Sequence, residues 1–391
     1  MAALDDFRSD VRAWLDTNCP PGARGAFDMM EGPGERNKDM ELWLERCVAR
    51  GFTAPGWPKE YGGGGLEPQQ ARTLAQEMAR IRARPPTMGM GLSMIGPTLL
   101  EFGTQEQRQR HLPPIVRGEL RWCQGYSEPG AGSDLASLRT RAEDKGDHFV
   151  INGQKIWTSG AQWADWMFAL VRTDPEVPKH EGISFLLLDM HQPGVRVQPI
   201  RLISGNSPFC ETFFTDALAR KDDLVGKLNQ GWTVGKRLLQ YERSGQGSLG
   251  GGPRRATGGS ELTDLAKRYI GVDNDRIGDA AVRDTVLRHE IQAKSLALTL
   301  QRSAEENRSG KTMGETTSIF KLISATLTRD GAELRRTLMG TQGIGWEGDN
   351  FAADEQQAVR AWLSTRAFTI FGGTNEVQLN IIAKRVLALP D

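Results

Sequence analysis

Residues 124–160, QGYSEPGAGSDLASLRTRAEDKGDHFVINGQKIWTSG, decide the fold of this chain. They begin with a loop of glycine and small polar residues, 128–134, that suits positive φ angles and the close approach of a ligand to the backbone. Two short runs that suit β-strands follow, 149–151 and 154–157. The dipeptide Asn152-Gly153 between them is typical of a two-residue turn, so the sequence predicts a β-hairpin here.

The end of this stretch places a flat aromatic side chain beside the glycine-rich loop. Trp157 precedes Thr158-Ser159-Gly160, and this arrangement predicts a wall for a flat heteroaromatic cofactor with two hydroxyls nearby. A structural role is the alternative: Trp157 would be a core aromatic at the end of a hairpin, and Ser133 would cap a helix or turn. The residues by themselves favour the structural role for both.

Composition excludes several classes of function. The 391 residues are enough for two or three domains, and 49 basic and 49 acidic residues give no global field that would recruit nucleic acid or an anionic membrane. The four cysteines and five histidines lack the spacings of metal ligands, so we expect reduced thiols and no metal. The acidic N-terminus does not resemble a signal peptide, and no apolar run reaches the length of a membrane span. We therefore expect a cytoplasmic protein.

The periodicity of the apolar residues changes twice along the chain. Residues 1–119 have helical spacing, residues 120–229 have short β runs with no helix between them, and residues 230–391 are helical again. This order predicts an α+β fold with an N-terminal α-helical domain, a central antiparallel β-barrel or sheet domain and a C-terminal α-helical bundle. The predicted helices are 40–48, 69–81, 91–102, 105–116, 232–244, 260–268, 279–307, 315–339 and 375–388. The predicted strands are 138–143, 149–151, 154–157, 166–171, 183–188, 195–200 and 210–214.

Two glycine-rich segments do not carry nucleotide motifs. Residues 245–260 match Gly-x-Gly-x-x-Gly, but a predicted helix precedes the match, whereas the dinucleotide motif requires a strand there. The match is therefore accidental, and we expect a mobile surface loop. The glycine run 62–65 has no following Gly-Lys-Ser/Thr, so it is not a phosphate-binding P-loop.

Four separated motifs resemble those of the acyl-CoA dehydrogenase family, and the resemblance covers nearly the whole chain. One such loop would be weak support, but four in the family's order around an independently predicted α, β, α layout are strong. The motifs are Trp57-Pro58-Lys59-Glu60-Tyr61-Gly62-Gly63, Tyr126-Ser127-Glu128-Pro129-Gly130-Ala131-Gly132-Ser133-Asp134, Asn152-Gly153-Gln154-Lys155-Ile156-Trp157-Thr158-Ser159-Gly160, and Phe371-Gly372-Gly373-Thr374-Asn375-Glu376-Val377-Gln378.

The resemblance implies a flavoprotein that holds FAD between the β domain and the C-terminal helices. Tyr126 and Ser127 would face the pyrimidine edge of the flavin, Trp157 would pack on the isoalloxazine, and Ser159 would lie near N5. The implied cofactor-binding residues are Gln124, Tyr126, Ser127, Gly132, Trp157, Ser159, Gly373, Thr374 and Glu376. The implied substrate-binding residues are Ser133, which would contact coenzyme A, with Arg243 and Gly372.

The family's reaction needs a carboxylate that removes the α-proton of an acyl-CoA thioester while the β-hydride passes to flavin N5, giving the trans-2-enoyl product. Many members carry this carboxylate where this chain has Gly372, whose backbone N–H could still serve the thioester oxygen. A branch resembling the isovaleryl- and long-chain-specific enzymes uses a Glu-Arg pair, here Glu242-Arg243. Val234, Leu238 and Glu242 share one helical stripe, which suits a base with a raised pKa but equally suits an ion-paired glutamate. The absent carboxylate at Gly372 favours Glu242 as the base.

Two motifs at the adenosine end of the cofactor match the family only in part. Residues 267–271 stand where members have Arg-x-x-Phe-Gly, which reaches FAD in a neighbouring subunit, and residues 337–341 stand where members have Gln-x-x-Gly-Gly. The main hypothesis is a homodimeric or homotetrameric dehydrogenase that passes electrons to an electron-transferring flavoprotein. The alternatives are a non-catalytic or site-sharing subunit of a heteromeric dehydrogenase, and a family member with oxidase or other acyl-CoA chemistry.

Overall fold

The computed structural model describes residues 2–25, 37–249, 258–308 and 317–390. The chain forms two compact units. The first contains residues 1–200 and 207–245, and the second contains residues 201–206 and 246–391.

The first unit begins with helices. Their bounds are α1 (Ala2–Asn18), α2 (Lys38–Ala49), α3 (Pro68–Arg80), α4 (Gly96–Phe102) and α5 (Gln105–Val116). A π-helical turn, Gly91–Ile95, leads directly into α4. Helices α1, α2 and α3 bury Val11, Leu15, Trp43 and Leu74 in a common core. The helical spacing of Phe7, Val11, Trp14 and Leu15 along α1 provides one face of this core.

A buried carboxylate links α1 to α3. Glu77 on α3 accepts hydrogen bonds from Arg12 at 2.9 and 3.0 Å, from Arg80 at 2.8 Å and from Arg8 at 3.2 Å. The hydrogen bond from Arg12 is the main reason that the pKa of Glu77 falls from 4.5 to about 2. A carboxylate with a depressed pKa stabilises the fold above its unfolded-state pKa, and this contribution is lost as the pH falls toward the folded-state value.

Glu77→Gln is therefore expected to lower the free energy of unfolding by about 2 kcal/mol at pH 7. The difference between variant and wild type should shrink below about pH 4.5 and nearly vanish near pH 2, as urea titrations at several pH values would measure. Glu119→Gln is the control, because Glu119 forms an exposed pair with Arg117 at 2.7 Å and such pairs contribute little. An equal loss for both variants at every pH would contradict the assignment.

A seven-stranded sheet forms the centre of the first unit, in the order β1-β4-β2-β3-β7-β6 with β5 paired to β4. The strands are β1 (Trp122–Gly125), β2 (Arg141–Asp144), β3 (His148–Ser159), β4 (Trp166–Arg172), β5 (Ile183–Asp189), β6 (Val195–Ile200) and β7 (Phe209–Arg220). The α+β class and the order of helical region, central sheet and helical region are confirmed.

The sheet is mixed, whereas the sequence predicted antiparallel strands throughout. β1 pairs with β4 in parallel, and β2 makes one parallel pairing with β4. β1 was not predicted as a strand. About forty residues that include β2 and β3 separate β1 from β4, and a connection of this length allows a parallel return. Apolar periodicity does not report the relative direction of two strands.

The predicted hairpin at Asn152-Gly153 is wrong. Both predicted runs belong to β3, which continues through the dipeptide and pairs along its length with β7. A type I′ turn requires positive φ at both residues, and only Gly153 has it, at 146°. The dipeptide lies at a register shift instead, where a Cβ on Gly153 would be 2.7 Å from the Cα of Thr140. The glycine is therefore needed for close packing, not for chain reversal.

Helix α6 (Gly231–Leu249) packs on the sheet of the first unit. Its residues Val234 and Leu238 are buried in a cluster with Phe168, Leu170 and Phe185 of the sheet. The helix begins close to β5, because a Cβ on Gly231 would lie 2.3 Å from the carbonyl carbon of Ser184. The sheet thus fixes the start of the helix that carries residues 242 and 243.

The second unit is mainly helical. Its helices are α7 (Gly258–Ile270), α8 (Ala280–Arg308), α9 (Thr317–Leu338), α10 (Ala353–Ser364) and α11 (Asn375–Ile381), with a two-stranded ribbon, β8 (Val272–Asp273) and β9 (Arg276–Ile277), between α7 and α8. Helix α10 was not predicted. The predicted loop 245–260 is wrong at both ends, because α6 continues to Leu249 and α7 begins at Gly258, and its residues 250–257 lie outside the described residues. Among the described helices, none combines the length and the apolar character that a membrane crossing requires.

Candidate active site

Two consecutive residues of β3 bind the loop that follows β1. The backbone N–H of Ile156 donates to the carbonyl of Ser127 at 2.9 Å. The side-chain ammonium of Lys155 donates to the carbonyl of Tyr126 at 3.1 Å. The two carbonyls are held by the strand, which brings Tyr126 and Ser127 beside the residues just before Trp157.

Trp157 has an unusual backbone conformation. Its φ is 60°, and it lies in a register shift between Lys155 and Thr158 in the pairing of β3 with β7. The residue is 53% exposed, and its ring meets that of Phe209 edge-on, with centroids 6.3 Å apart. A bulky residue in the left-handed region is strained, and such strain concentrates at ligand sites. An exposed aromatic plane held in this way suits a flat ligand.

The two hydroxyls that the sequence placed beside Trp157 point to different surroundings. The hydroxyl of Thr158 is buried and bonds to the carbonyl of Cys210 at 2.8 Å and to the hydroxyl of Thr212 at 2.9 Å. It is therefore part of the sheet. Ser159 is half-buried, opposite Phe209, so it is the hydroxyl that remains next to the exposed tryptophan. Gln124 is half-buried on β1.

The middle of the loop after β1 is open to solvent. Glu128 and Ala131 exchange backbone hydrogen bonds at 3.0 Å and close a tight turn. Gly132, Ser133 and Asp134 are exposed beyond that turn. Asp134 pairs with Lys179 at 2.8 and 2.9 Å. Ser133 is thus exposed to solvent, and its contact with coenzyme A stays a prediction.

The proposed base lies on α6, whose backbone includes Glu242 and Arg243. The side chains of both residues lie outside the described residues, so their roles stay predictions. The stripe on which Glu242 was predicted to lie has buried members at Val234 and Leu238. Helix α6 also contacts α4 through Arg237, which donates to Glu101 at 2.8 Å.

The C-terminal motif forms a compact turn in the second unit. Gly372 and Gly373 have φ of 65° and 87°, and the side-chain amide of Gln378 donates to both of their carbonyls at 3.4 Å. Thr374 caps α11 by accepting from the N–H of Val377 at 3.2 Å. The carboxylate of Glu376 accepts hydrogen bonds from its own backbone N–H and from the side chain of Thr374, and these bonds lower the pKa of Glu376. These residues therefore lie together in one turn.

The segment that partly matches Arg-x-x-Phe-Gly is engaged within the second unit. Lys267 pairs with Asp275 at 3.0 Å, and Arg268 pairs with Asp354 at 3.0 Å. The hydroxyl of Tyr269 donates to Glu355 at 2.5 Å, and burial together with this bond raises the pKa of Tyr269 to about 12. Both cations of the segment have acidic partners, so neither is held ready for an anionic ligand.

Sequence reasoning did not single out Lys155 or Glu128, although both lie within the family motifs. The available signal was that Lys155 lies within a predicted β run and directly precedes the apolar residues Ile156 and Trp157. A lysine buried there requires an acidic partner. The partner, Glu128, lies at 2.8 Å and 27 positions earlier in the chain.

Comparison with known proteins identifies the family. Three family models match in sequence order: the acyl-CoA dehydrogenase N-terminal domain at residues 2–119, the middle domain at 123–217 and the C-terminal domain at 229–387. Together they cover most of the chain.

Individual relatives match this chain over its full length. The chain is 41% identical to the acyl-CoA dehydrogenase IpdE1 of Mycobacterium tuberculosis, over 100% of this chain and 99% of that protein. Among solved structures, the Tcur3481-Tcur3483 steroid ACAD is 30% identical with a TM-score of 0.79, over 100% of this chain and 98% of the other. The ChsE4-ChsE5 complex of Mycobacterium tuberculosis is 30% identical with a TM-score of 0.77, at the same coverage. The chain is therefore a member of the acyl-CoA dehydrogenase family, whose enzymes are flavoprotein oxidoreductases acting on CH–CH bonds.

Proposed function

We propose that this protein uses FAD to dehydrogenate an acyl-CoA thioester between its α and β carbons, giving the trans-2-enoyl-CoA. The observation that carries the proposal is Trp157, an exposed aromatic plane in a strained conformation beside the loop that starts at Tyr126. The edge-on contact of its ring with that of Phe209 is not a packing role that would explain this conformation. A stacked isoalloxazine would provide one.

The residues of the first unit fit FAD as follows. Trp157 would cover one face of the flavin, while Tyr126 and Ser127 would lie along its pyrimidine edge and Ser159 near the reactive nitrogen. Gln124 and Gly132 would complete this wall. FAD, when bound, supplies the acceptor for the β-hydride. Gly373, Thr374 and Glu376 are the proposed cofactor contacts of the second unit.

The protein's own chemistry is the removal of the α-proton. We assign this step to the carboxylate of Glu242, because the buried residues Val234 and Leu238 precede it on the same stripe of α6 and an apolar site raises a carboxyl pKa. The N–H of Gly372 would donate to the thioester oxygen as negative charge develops there. Ser133 and Arg243 would bind the coenzyme A portion of the substrate.

The acyl group and the electron acceptor are finer proposals. An electron-transferring flavoprotein is the proposed acceptor, on the basis of family membership. One similar structure is that of a steroid ACAD, so steroid-derived thioesters join straight-chain and branched ones as proposed substrates. The architecture of the acyl pocket will select among them.

The test is anaerobic bleaching of the bound flavin by a panel of saturated acyl-CoA thioesters. We expect the purified protein to be yellow and to bleach with at least one thioester, with the enoyl-CoA as product. An enzyme that binds flavin but yields no enoyl-CoA with any thioester would contradict the proposed reaction. Peroxide formation in air, measured against reduction of a flavoprotein acceptor, distinguishes an oxidase from a dehydrogenase.

A second candidate is a subunit that completes its FAD site only with a different partner chain. The pairing of Lys267 with Asp275 and of Arg268 with Asp354 favours it, because the partly matching segment keeps its cations for internal partners. The similar ChsE4-ChsE5 structure is also described as a complex of two proteins. If the chain purified alone is yellow and substrate-reducible, this candidate is excluded. A colourless chain that turns yellow only on co-expression with a second family member would establish it.

A further inference from the structure

The first unit contains a cation that is completely buried. The side chain of Lys155 is 0% exposed, and its ammonium donates to the Glu128 carboxylate at 2.8 Å and to the Tyr126 carbonyl at 3.1 Å. Transfer of an ammonium group out of water is costly unless it is paired and hydrogen-bonded. Both conditions are met here by residues of a single loop.

The carboxylate partner joins the two ends of that loop. Glu128 accepts from the backbone N–H of Arg139 at 2.6 Å and from that of Thr140 at 2.8 Å, in addition to Lys155. The start of the loop, its end and strand β3 therefore meet at one buried ion pair. The guanidinium of Arg172 donates to the carbonyl of Ala136 at 2.6 Å, which fixes the loop between those ends.

The charges around the pair are consistent with an ionised state near neutral pH. Burial lowers the pKa of Lys155 to about 8, against the opposing effect of Glu128. Burial acts to raise the pKa of Glu128, but the Lys155 ammonium and the donors around it hold that pKa below its usual value. Arg172 is a further charged group beside the pair: it acts to lower the pKa of Lys155, and Glu128 acts to raise the pKa of Arg172.

We propose that Lys155 is a positioning residue of the cofactor site: its buried ammonium locks the loop that carries Tyr126 and Ser127 to the strand that carries Trp157. The inference rests on the proposed FAD role of that loop and strand for its functional consequence. Lys155 lies two positions before Trp157 and fixes the direction of the Tyr126 carbonyl. Trp157 and the loop are thereby held at a fixed distance from each other.

A purely structural role is the competing explanation, and it makes a different prediction. Buried ion pairs can often be replaced by neutral groups of similar volume without loss of stability. The double variant Lys155→Met/Glu128→Gln removes both charges and leaves no buried charge unpaired. If the pair served only stability, this variant would behave like the wild type. If the pair positions the loop, the variant folds but its loop is released.

The experiment measures amide hydrogen exchange of the peptide covering residues 124–140 in flavin-free protein, together with thermal stability and FAD affinity. In the double variant we expect exchange at least about tenfold faster in this peptide and FAD binding at least about tenfold weaker, with exchange in β4 and β5 unchanged. Glu128→Gln alone leaves the buried Lys155 ammonium without its carboxylate, so this variant should release the loop as well and should in addition lower the thermal stability. Lys179→Met is the control, since Lys179 pairs with Asp134 of the same loop at the surface and should leave both quantities unchanged.

Wild-type exchange in the 124–140 peptide of both variants would overturn the proposal. Equal acceleration across the whole sheet would also overturn it, because that pattern reports lost stability without lost positioning. The exchange measurement needs no flavin. A wild-type protein that binds no FAD would therefore refute the proposed function while the release of the loop could still be measured.

Discussion

Glu242→Gln is expected to retain bound FAD and to slow anaerobic bleaching by the best acyl-CoA by about 10²–10⁴-fold, the usual contribution of a general base. Glutamine keeps the volume and polarity of glutamate but cannot accept the α-proton. The equilibrium affinity for acyl-CoA should change little, because the lost interaction is made mainly as the proton is transferred. Stopped-flow absorbance of the flavin band measures the rate.

The matched control is Glu261→Gln, which neutralises a surface glutamate of α7 that pairs with Arg335 at 3.0 Å. It should bleach at the wild-type rate. If Glu242→Gln also bleaches at that rate with its flavin in place, the α-proton is removed by another group. The absence of a carboxylate at Gly372 makes the result decisive, since the position used by many family members cannot substitute.

Trp157→Gly and Trp157→Ala are expected to weaken FAD binding alike and to differ in the stability of the flavin-free protein. Loss of the stacked indole should raise the dissociation constant of FAD by roughly 10–100-fold in both variants. The φ of 60° is strained for alanine as for tryptophan, but glycine adopts it freely. Trp157→Gly should therefore be more stable than Trp157→Ala by about 1 kcal/mol.

Urea unfolding of the two flavin-free variants measures the strain, and flavin fluorescence titration measures the affinity. Equal stability of the two variants would show that the left-handed conformation costs nothing. Unchanged FAD affinity in both would remove Trp157 from the cofactor site. Because the two measurements are independent, they separate the strain of the Trp157 backbone from the stacking of its side chain on the flavin.

Much of the fold was predictable because its causes are local. Helical spacing such as that of Val11 and Leu15 depends on residues a few positions apart. The apolar run that predicts β4 is only seven residues long. The family motifs are likewise short. The α+β layout and the family followed from these patterns. The place of Glu242 on the helix after the sheet followed as well.

The arrangement of the strands depended on contacts that no local pattern records. Asn152-Gly153 has the composition of a hairpin turn, but pairing of β3 with β7 over most of its length outweighs the preference of two residues. The direction of β1 against β4 depends on a long connection. Both errors have the same origin, since strand pairing is decided by residues far apart in sequence.

The sequence by itself determined which chemistry residues 124–160 could support: an aromatic side chain, hydroxyls and a glycine-rich loop in close succession. Only the tertiary structure decided how they are presented. The register shift in β3 turns Trp157 outward at positive φ and turns the Thr158 hydroxyl inward. The ion pair of Lys155 with Glu128, 27 positions apart, requires the sheet that excludes water around it. Burial is a property of the assembled fold, and the strength of a charge interaction depends on burial.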